Sequence, residues 1–244
     1  MRTFERSNGL LPLRLPLKYN AEKNKTKETV QWVEASPWSF YKKVYRIELG
    51  GSVAVAHKKP NTKEQFTIKS VSASGDQIRL MHRLYHKNLL SLYEVFYFDD
   101  AFYTVSEHMA ISLTHVIGCP EPLTEGQLAS ITKQCLCGIS YLVSQGLSHT
   151  DITCPNILLS FDGVVKIGRA IMSVMNKRLK LDGNLSISNP GLWSTEAVEF
   201  LSMTLDAAPG ELSTHSFLEH ARGEDLPWFV IYTLRTARVI VATM

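Results

Sequence analysis

One change of rhythm, near Pro122, divides this chain. Between Tyr41 and Ile117 the apolar residues come in short runs rich in β-branched and aromatic side chains. Tyr41–Ile47, Val53–His57, Gln65–Val71, Leu89–Phe98 and Phe102–Glu107 read as strands. Lys59-Pro60-Asn61-Thr62 reads as a turn, and Asp99-Asp100 as the tip of a hairpin. Ser74-Gly75-Asp76 caps a short helix expected from about Asp76 to Leu84. After Pro122 the period becomes helical. Thr124 with Gln127 forms a capping box, and Leu128, Ile131, Cys135, Ile139 and Leu142 follow on one face. Gly146 closes that helix. Ile157–Ser160 and Val164–Ile167 flank the turn Phe161-Asp162-Gly163. A further helix starts at Ser194 or Thr195, with Val198, Leu201 and Leu205 facing inward. The expected class is α+β, with a β-rich first half and a helical second half.

Composition narrows the function classes. The chain has 244 residues, 45% hydrophobic and 20% charged, which excludes collagen, low-complexity and fully disordered chains. A net charge of +3 is too small to argue for a specific nucleic-acid partner. The charge is uneven: residues 1–27 hold seven Lys/Arg against two Glu, on a near-neutral remainder. Residues 1–37 therefore read as a basic, disordered lead-in. The four cysteines form no C-x-x-C, so no zinc or disulfide framework follows and a reducing cytoplasm fits. Cys135 and Cys137 point to different helix faces. The run Leu10 to Leu17 is broken by Pro12, Arg14 and Pro16, unlike a signal peptide. The apolar stretch Trp228 to Met244 contains Arg235 and Arg238 and is short for a membrane span, so none is expected. His82 and His86, at i and i+4, lack a third nearby ligand and read as ordinary core or surface histidines.

The chemistry-bearing segment is His149-Thr150-Asp151-Ile152-Thr153-Cys154-Pro155-Asn156-Ile157-Leu158-Leu159. It resembles the protein-kinase catalytic loop, H-R-D-x-x-x-x-N, with His149, Asp151 and Asn156 at the family spacing. The preceding long helix and the following DG hairpin match as well. Upstream, Phe66-Thr67-Ile68-Lys69 resembles the V-A-I-K strand, and Tyr41 to Val55 the Gly-rich hairpin. Leu84 to Leu90 resembles the segment after helix C, and Val105-Ser106-Glu107-His108-Met109 the hinge. Phe200 to Asp206 and Glu211 to Leu218 resemble the last kinase helices. The flavour is that of STE-group, PAK-like serine/threonine kinases.

The resemblance implies a two-lobe fold and a set of roles. Asp151 stands at the catalytic base, Asn156 at a metal ligand, and Lys69 at the contact to the α/β-phosphates. Gly50, Val55, Lys69, Glu107, Met109, Leu158 and Arg169 stand along the nucleotide site. Several positions depart from the family. Thirteen residues after Asn156, where the family's DFG Asp holds magnesium, the chain has Arg169-Ala170-Ile171. A guanidinium there repels Mg²⁺ and cannot deprotonate. Counting back from Asn88, the helix C Glu falls on Gln77, while Asp76 lies about 100° round the helix. The H-R-D Arg is Thr150, and the catalytic-loop Lys is Thr153. Glu48 and Val53 replace the outer glycines of the phosphate loop, and Thr67 replaces the small Ala beside the adenine slot. Only 22 residues separate Ile171 from Ser194, with no A-P-E and no sequence for helix F.

The expected organisation follows: a lead-in over 1–37, a kinase-like N-lobe and hinge over 38–109, a reduced C-lobe over 110–226, and a tail or helix over 227–244. The expected function is an inactive pseudokinase acting as a binding or scaffold module, with weak or no ATP binding and a broken magnesium site. A protein partner, an active kinase among the possibilities, is implied. The alternatives are a weakly active ATP-dependent serine/threonine kinase and a decayed or mis-spliced product. Arg169 either takes part of the magnesium's role at a phosphate or pairs with Asp151 and closes the site. Asp151 and Asn156 either meet ligand or cap loop backbone.

Overall fold

The computed structural model describes residues 32–60, 62–149, 152–168, 172–174 and 193–242. Five antiparallel strands make the first layer: β1 (Tyr41–Glu48), β2 (Ser52–Lys58), β3 (Gln65–Val71), β4 (Leu92–Phe98) and β5 (Ala101–Glu107), in the order β1-β2-β3-β5-β4. Two turns set this topology. Gly50 and Gly51 take φ of 63° and 106° between β1 and β2, where L side chains are strained. Asp99 and Asp100 take φ of 52° and 54° between β4 and β5, the tight-hairpin geometry that Asp tolerates. The sheet buries Tyr41, Ala56, Phe66, Ile68, Phe96 and Val105 in one cluster.

A four-residue helix, α1 (Pro37–Phe40), leads into β1, and α2 (Gly75–Arg83) packs on the sheet through Ile78 and Met81. Residues just upstream, within the stretch expected as lead-in, join this layer. Val33 pairs in parallel with Phe96, and its backbone bonds Val95 and Tyr97. Trp32 packs into the α2 cluster, edge-on to Phe102 at 5.1 Å and under the Arg79 guanidinium at 5.0 Å.

The helical part starts with β6 (Ile111–Ser112), α3 (Leu113–Ile117) and α4 (Glu125–Ser144). Thr124 and Gln127 form the expected capping box of α4. Cys135 is buried on α4 and Cys137 exposed. The helix is buried on more than one stripe. Ile131 and Cys135 face one cluster, Ala129 and Leu136 a second, and Leu142 a third. The next elements are β7 (Leu147–His149), β8 (Ile157–Leu159), β9 (Val165–Ile167) and β10 (Met172–Val174). β6, β8 and β9 form one small sheet, and β7 pairs with β10. Then come α5 (Thr195–Met203), α6 (Pro209–Leu212) and α7 (Leu226–Ala242).

One detail differs from expectation. α5 faces inward through Ala197 and Phe200, and Leu205 is 57% exposed. The helix ends at Met203, so Leu205 leaves its apolar face. The final apolar stretch is a docked helix. Leu226, Phe229 and Val230 of α7 are almost fully buried against α3, α4 and β8–β9 residues. Gly163 admits this docking, since a Cβ there would lie 2.8 Å from Leu226 Cβ and 2.9 Å from Pro227 Cδ. No helix among the described residues is long and apolar enough to cross a membrane.

A polar knot joins the two layers. Buried Asn88, between α2 and β4, donates through Nδ2 to the Val165 carbonyl (2.8 Å) and to Gln134 Oε1 (3.2 Å). Gln134 Oε1 also accepts from the Val165 N–H at 2.9 Å. Gly138 lets α4 approach this loop, because a Cβ there would stand 2.9 Å from the Asn88 carbonyl oxygen.

Candidate nucleotide cleft

A cleft opens between the five-stranded sheet and the β8–β9 hairpin. Its apolar walls are Leu49 and Val53 from the β1–β2 hairpin, Met109 from the hinge and Leu158 from β8, packed as one cluster. Its polar end carries Lys69 and Asn156. The fold thus brings together Lys69, Glu107, Met109, Asn156 and Leu158, named from sequence, with Gly50 against Asn156. Val55 is fully buried two residues beyond Val53 and does not line the cleft. Asp151, Thr150 and Arg169 lie outside the described residues.

The polar end is turned on itself. Lys69 Nζ donates to the Gly50 carbonyl. Gly50 also sits on the catalytic-loop segment. A Cβ at position 50 would fall 2.6 Å from Asn156 Oδ1 and 3.1 Å from the Pro155 carbonyl oxygen. Asn156 donates through Nδ2 to Thr153 Oγ1 at 3.3 Å, and its carbonyl accepts from the Gly168 N–H at 2.6 Å.

The α2 position counted as the partner of Lys69 is used elsewhere. Gln77 Oε1 accepts from the Ser74 N–H at 2.8 Å, and the Gln77 N–H donates to Ser74 Oγ at 3.3 Å. That reciprocal pair satisfies two orphan donors of the helix start. Asp76 is exposed and pairs with Arg79 at 2.8 Å. The α2 residue that lines the cleft is Met81.

Glu107 has its own partners. Its carboxylate pairs with Lys166 Nζ at 2.8 Å and accepts from the Ser91 N–H at 2.6 Å. The hinge is thereby tied to β9, and the hinge carboxylate is committed to structure. Lys166 escaped the sequence reading. Its signal was the alternation of β9, which buries Val165 and Ile167 and turns Lys166 the other way. Thr67 also gains a role: its Oγ1 lies 3.3 Å from His108 Nδ1. Burial holds the His108 pKa below the usual histidine value. His86 is lowered too, first by burial and then by Lys87 and Lys166. Its ring stacks on Tyr141 at 5.0 Å and its Nδ1 accepts from the Asn88 N–H, so it works as a packing residue.

The enclosed volume of the cleft is about 50 Å³, well under the roughly 300–1,000 Å³ of small-molecule sites. Among the described residues, no group of three or more His, Cys, Asp or Glu side chains is placed to hold a metal.

The β1–β2 hairpin, the α2 helix, the hinge and the β8–β9 hairpin around one cleft are the parts of a protein kinase. The chain belongs to the protein kinase domain family, whose model matches residues 41–169, more than half of the sequence. Its curated relatives include PAK and STE20 kinases. It is 34% identical over 121 residues to the serine/threonine-protein kinase shk1/pak1 of Schizosaccharomyces pombe, covering 49% of this chain and 18% of that one. Identity is 32% over 125 residues with the PAK mbt kinase of Drosophila melanogaster, at 48% and 19% coverage. Against STE20 of Saccharomyces cerevisiae it is 29% over 153 residues, at 62% and 16%. The chain thus spans less than a fifth of these relatives' lengths.

Proposed function

We propose that this domain is a pseudokinase: a PAK-like kinase fold that transfers no phosphoryl group and serves as a binding or scaffold module in the cytoplasm. The observation that carries this reading is the engagement of Lys69 with Gly50 while Gln77 caps α2. A kinase needs that lysine on the α/β-phosphates, held by a helix C carboxylate. Here the lysine serves the loop, and the residue counted for the carboxylate is an amide serving Ser74. Arg169 at the family's DFG aspartate adds a charge reversal at the magnesium position, so ATP binding is weak or absent and Mg²⁺ is disfavoured. The partner is a protein, an active kinase among the candidates. Trp228 and Ile231, 66% and 50% exposed on α7, offer it apolar surface.

The second reading, residual phosphotransfer, is favoured by Lys69 and Asn156 lining one cleft and by Asp151 in the sequence. A radiolabelled ATP assay on wild type and Arg169→Asp separates the two. The pseudokinase reading expects no incorporation by either, because Gln77, Thr150 and Thr153 remain. Incorporation by wild type establishes the second reading. Incorporation by the variant alone shows that Arg169 is the sole defect.

A further inference from the structure

The outer edge of the sheet carries a second concave face. It is a hollow of about 420 Å³ lined by Trp38, Tyr41, Lys42, Lys43, Arg46 and Lys59. Four of the six are exposed cations, and they come from two stretches, β1 and the turn after β2. Among the described residues, none of the four has a carboxylate within 4 Å. The fold pairs its lysines elsewhere: Lys58 with Glu94, and Lys166 with Glu107. Glu94, which accepts from Tyr41 Oη at 3.0 Å, is already paired with Lys58.

Two local features assemble the cluster. A β-bulge interrupts β1 between Lys43 and Tyr45. Strict alternation would send Lys43 and Arg46 to opposite faces; the extra residue re-aims the strand, and both line the hollow. Lys59 is fixed at the rim: its Nζ donates to the Trp38 carbonyl and its backbone N–H to the Phe40 carbonyl, both at 2.8 Å. An ammonium has three donors, so two remain. Charged residues on an edge strand also block edge-to-edge pairing. That role accounts for Lys42 and Lys43, but not for Lys59 converging from the next turn.

We propose that this hollow docks a phosphorylated segment of a protein partner, its phosphate monoester seated among Lys42, Lys43, Arg46 and Lys59. Such an ester carries about −1.5 to −2 charges at neutral pH, and Arg46 supplies the planar fork that suits phosphate oxygens. A peptide fits better than nucleic acid. Single strands stack bases on a row of exposed rings along a groove, whereas of the two rings lining the hollow Tyr41 is buried, edge-on to Phe66 and Phe96 and capped by Lys58, and Trp38 is half-buried. The chain's own first 27 residues are net positive and so do not match its charge. The site lies apart from the nucleotide cleft and does not depend on its chemistry.

The test is fluorescence anisotropy with a labelled degenerate phosphoserine peptide pool and its unphosphorylated counterpart, on the full chain. The phosphorylated pool is expected to bind at least tenfold tighter and to weaken with salt. Arg46→Glu, and separately Lys42→Ala with Arg46→Ala, should each weaken it at least tenfold with unchanged thermal melts, while Lys69→Ala leaves it intact. Equal binding of the two pools, or binding indifferent to both variants, overturns the proposal. So does retention of phosphatidylserine vesicles or oligo(dT) without capture of the phosphopeptide pool.

Discussion

Lys69 donates to the carbonyl of Gly50, and Gly50 in turn rests on Asn156. Three residues that a kinase arranges around phosphates are here arranged around one another. Opening the cleft for a ligand means breaking a charge-assisted hydrogen bond and lifting the loop together.

The helix start that occupies Gln77 makes a measurable contribution to stability. Ser74→Ala removes one half of the capping box and is expected to cost about 1 kcal/mol. A lower urea midpoint at unchanged slope checks it. Gln77→Glu keeps the box, because Glu serves equally at that position, and should leave the midpoint within error while conferring no ATP response.

The knot at Asn88 is buried and joins the layers. Asn88→Ala leaves Gln134 and the Val165 carbonyl short of a partner, at a cost of about 1–3 kcal/mol. Urea denaturation should show the loss, with one cooperative transition retained.

Docking of α7 depends on a bare backbone at position 163. Gly163 has φ of 74°, and its Cα faces Leu226 and Pro227. Gly163→Ala adds both strain and a clash, and should cost more than about 1 kcal/mol. Trp228 fluorescence, read through the same titration, reports whether α7 leaves first.

Acid weakens the fold through its histidines. The His108 pKa is lowered by burial, and His86 shifts the same way. The unfolded chain therefore binds these protons more tightly, and stability falls as pH drops through about 6.5 toward the folded values. Glu125, held down mainly by Ser194 hydrogen bonds, adds a further loss only below the ordinary carboxylate range. His108→Asn should flatten the change in melting temperature between pH 7.5 and 5.5.

Two cysteines on one helix should differ sharply in reactivity. Burial pushes the Cys135 thiol up to about 12, while Cys137 is exposed. A thiol reagent at pH 7.5 should modify Cys137 in the native state and Cys135 only after unfolding, as peptide mapping will show.

Local chemistry was legible in the sequence wherever neighbours in the chain decide the outcome. The Asp99-Asp100 turn, the caps at Ser74 and Thr124, and the Phe161-Asp162-Gly163 hairpin follow from residues a few positions apart. The inward face of α5 was misplaced because the helix stops at Met203, and sequence marks helix ends poorly. The docking of α7 and of Trp32 is tertiary: each fills a surface made by distant segments, which no local period encodes. The cleft divides the same way. Motif spacing located Lys69, Asn156 and Leu158, but not the closure of Gly50 on Asn156 or the tie from Glu107 to Lys166, which need the two layers in place.

The most direct test of the central claim is a thermal melt of the chain alone, with ATP and EDTA, and with ATP and Mg²⁺. A ligand bound only by the folded state at a hundredfold excess over Kd stabilises by about 2.7 kcal/mol. The account predicts one cooperative transition that neither condition raises. A rise with ATP and Mg²⁺ would contradict it, by showing that the loop lifts and the metal site works.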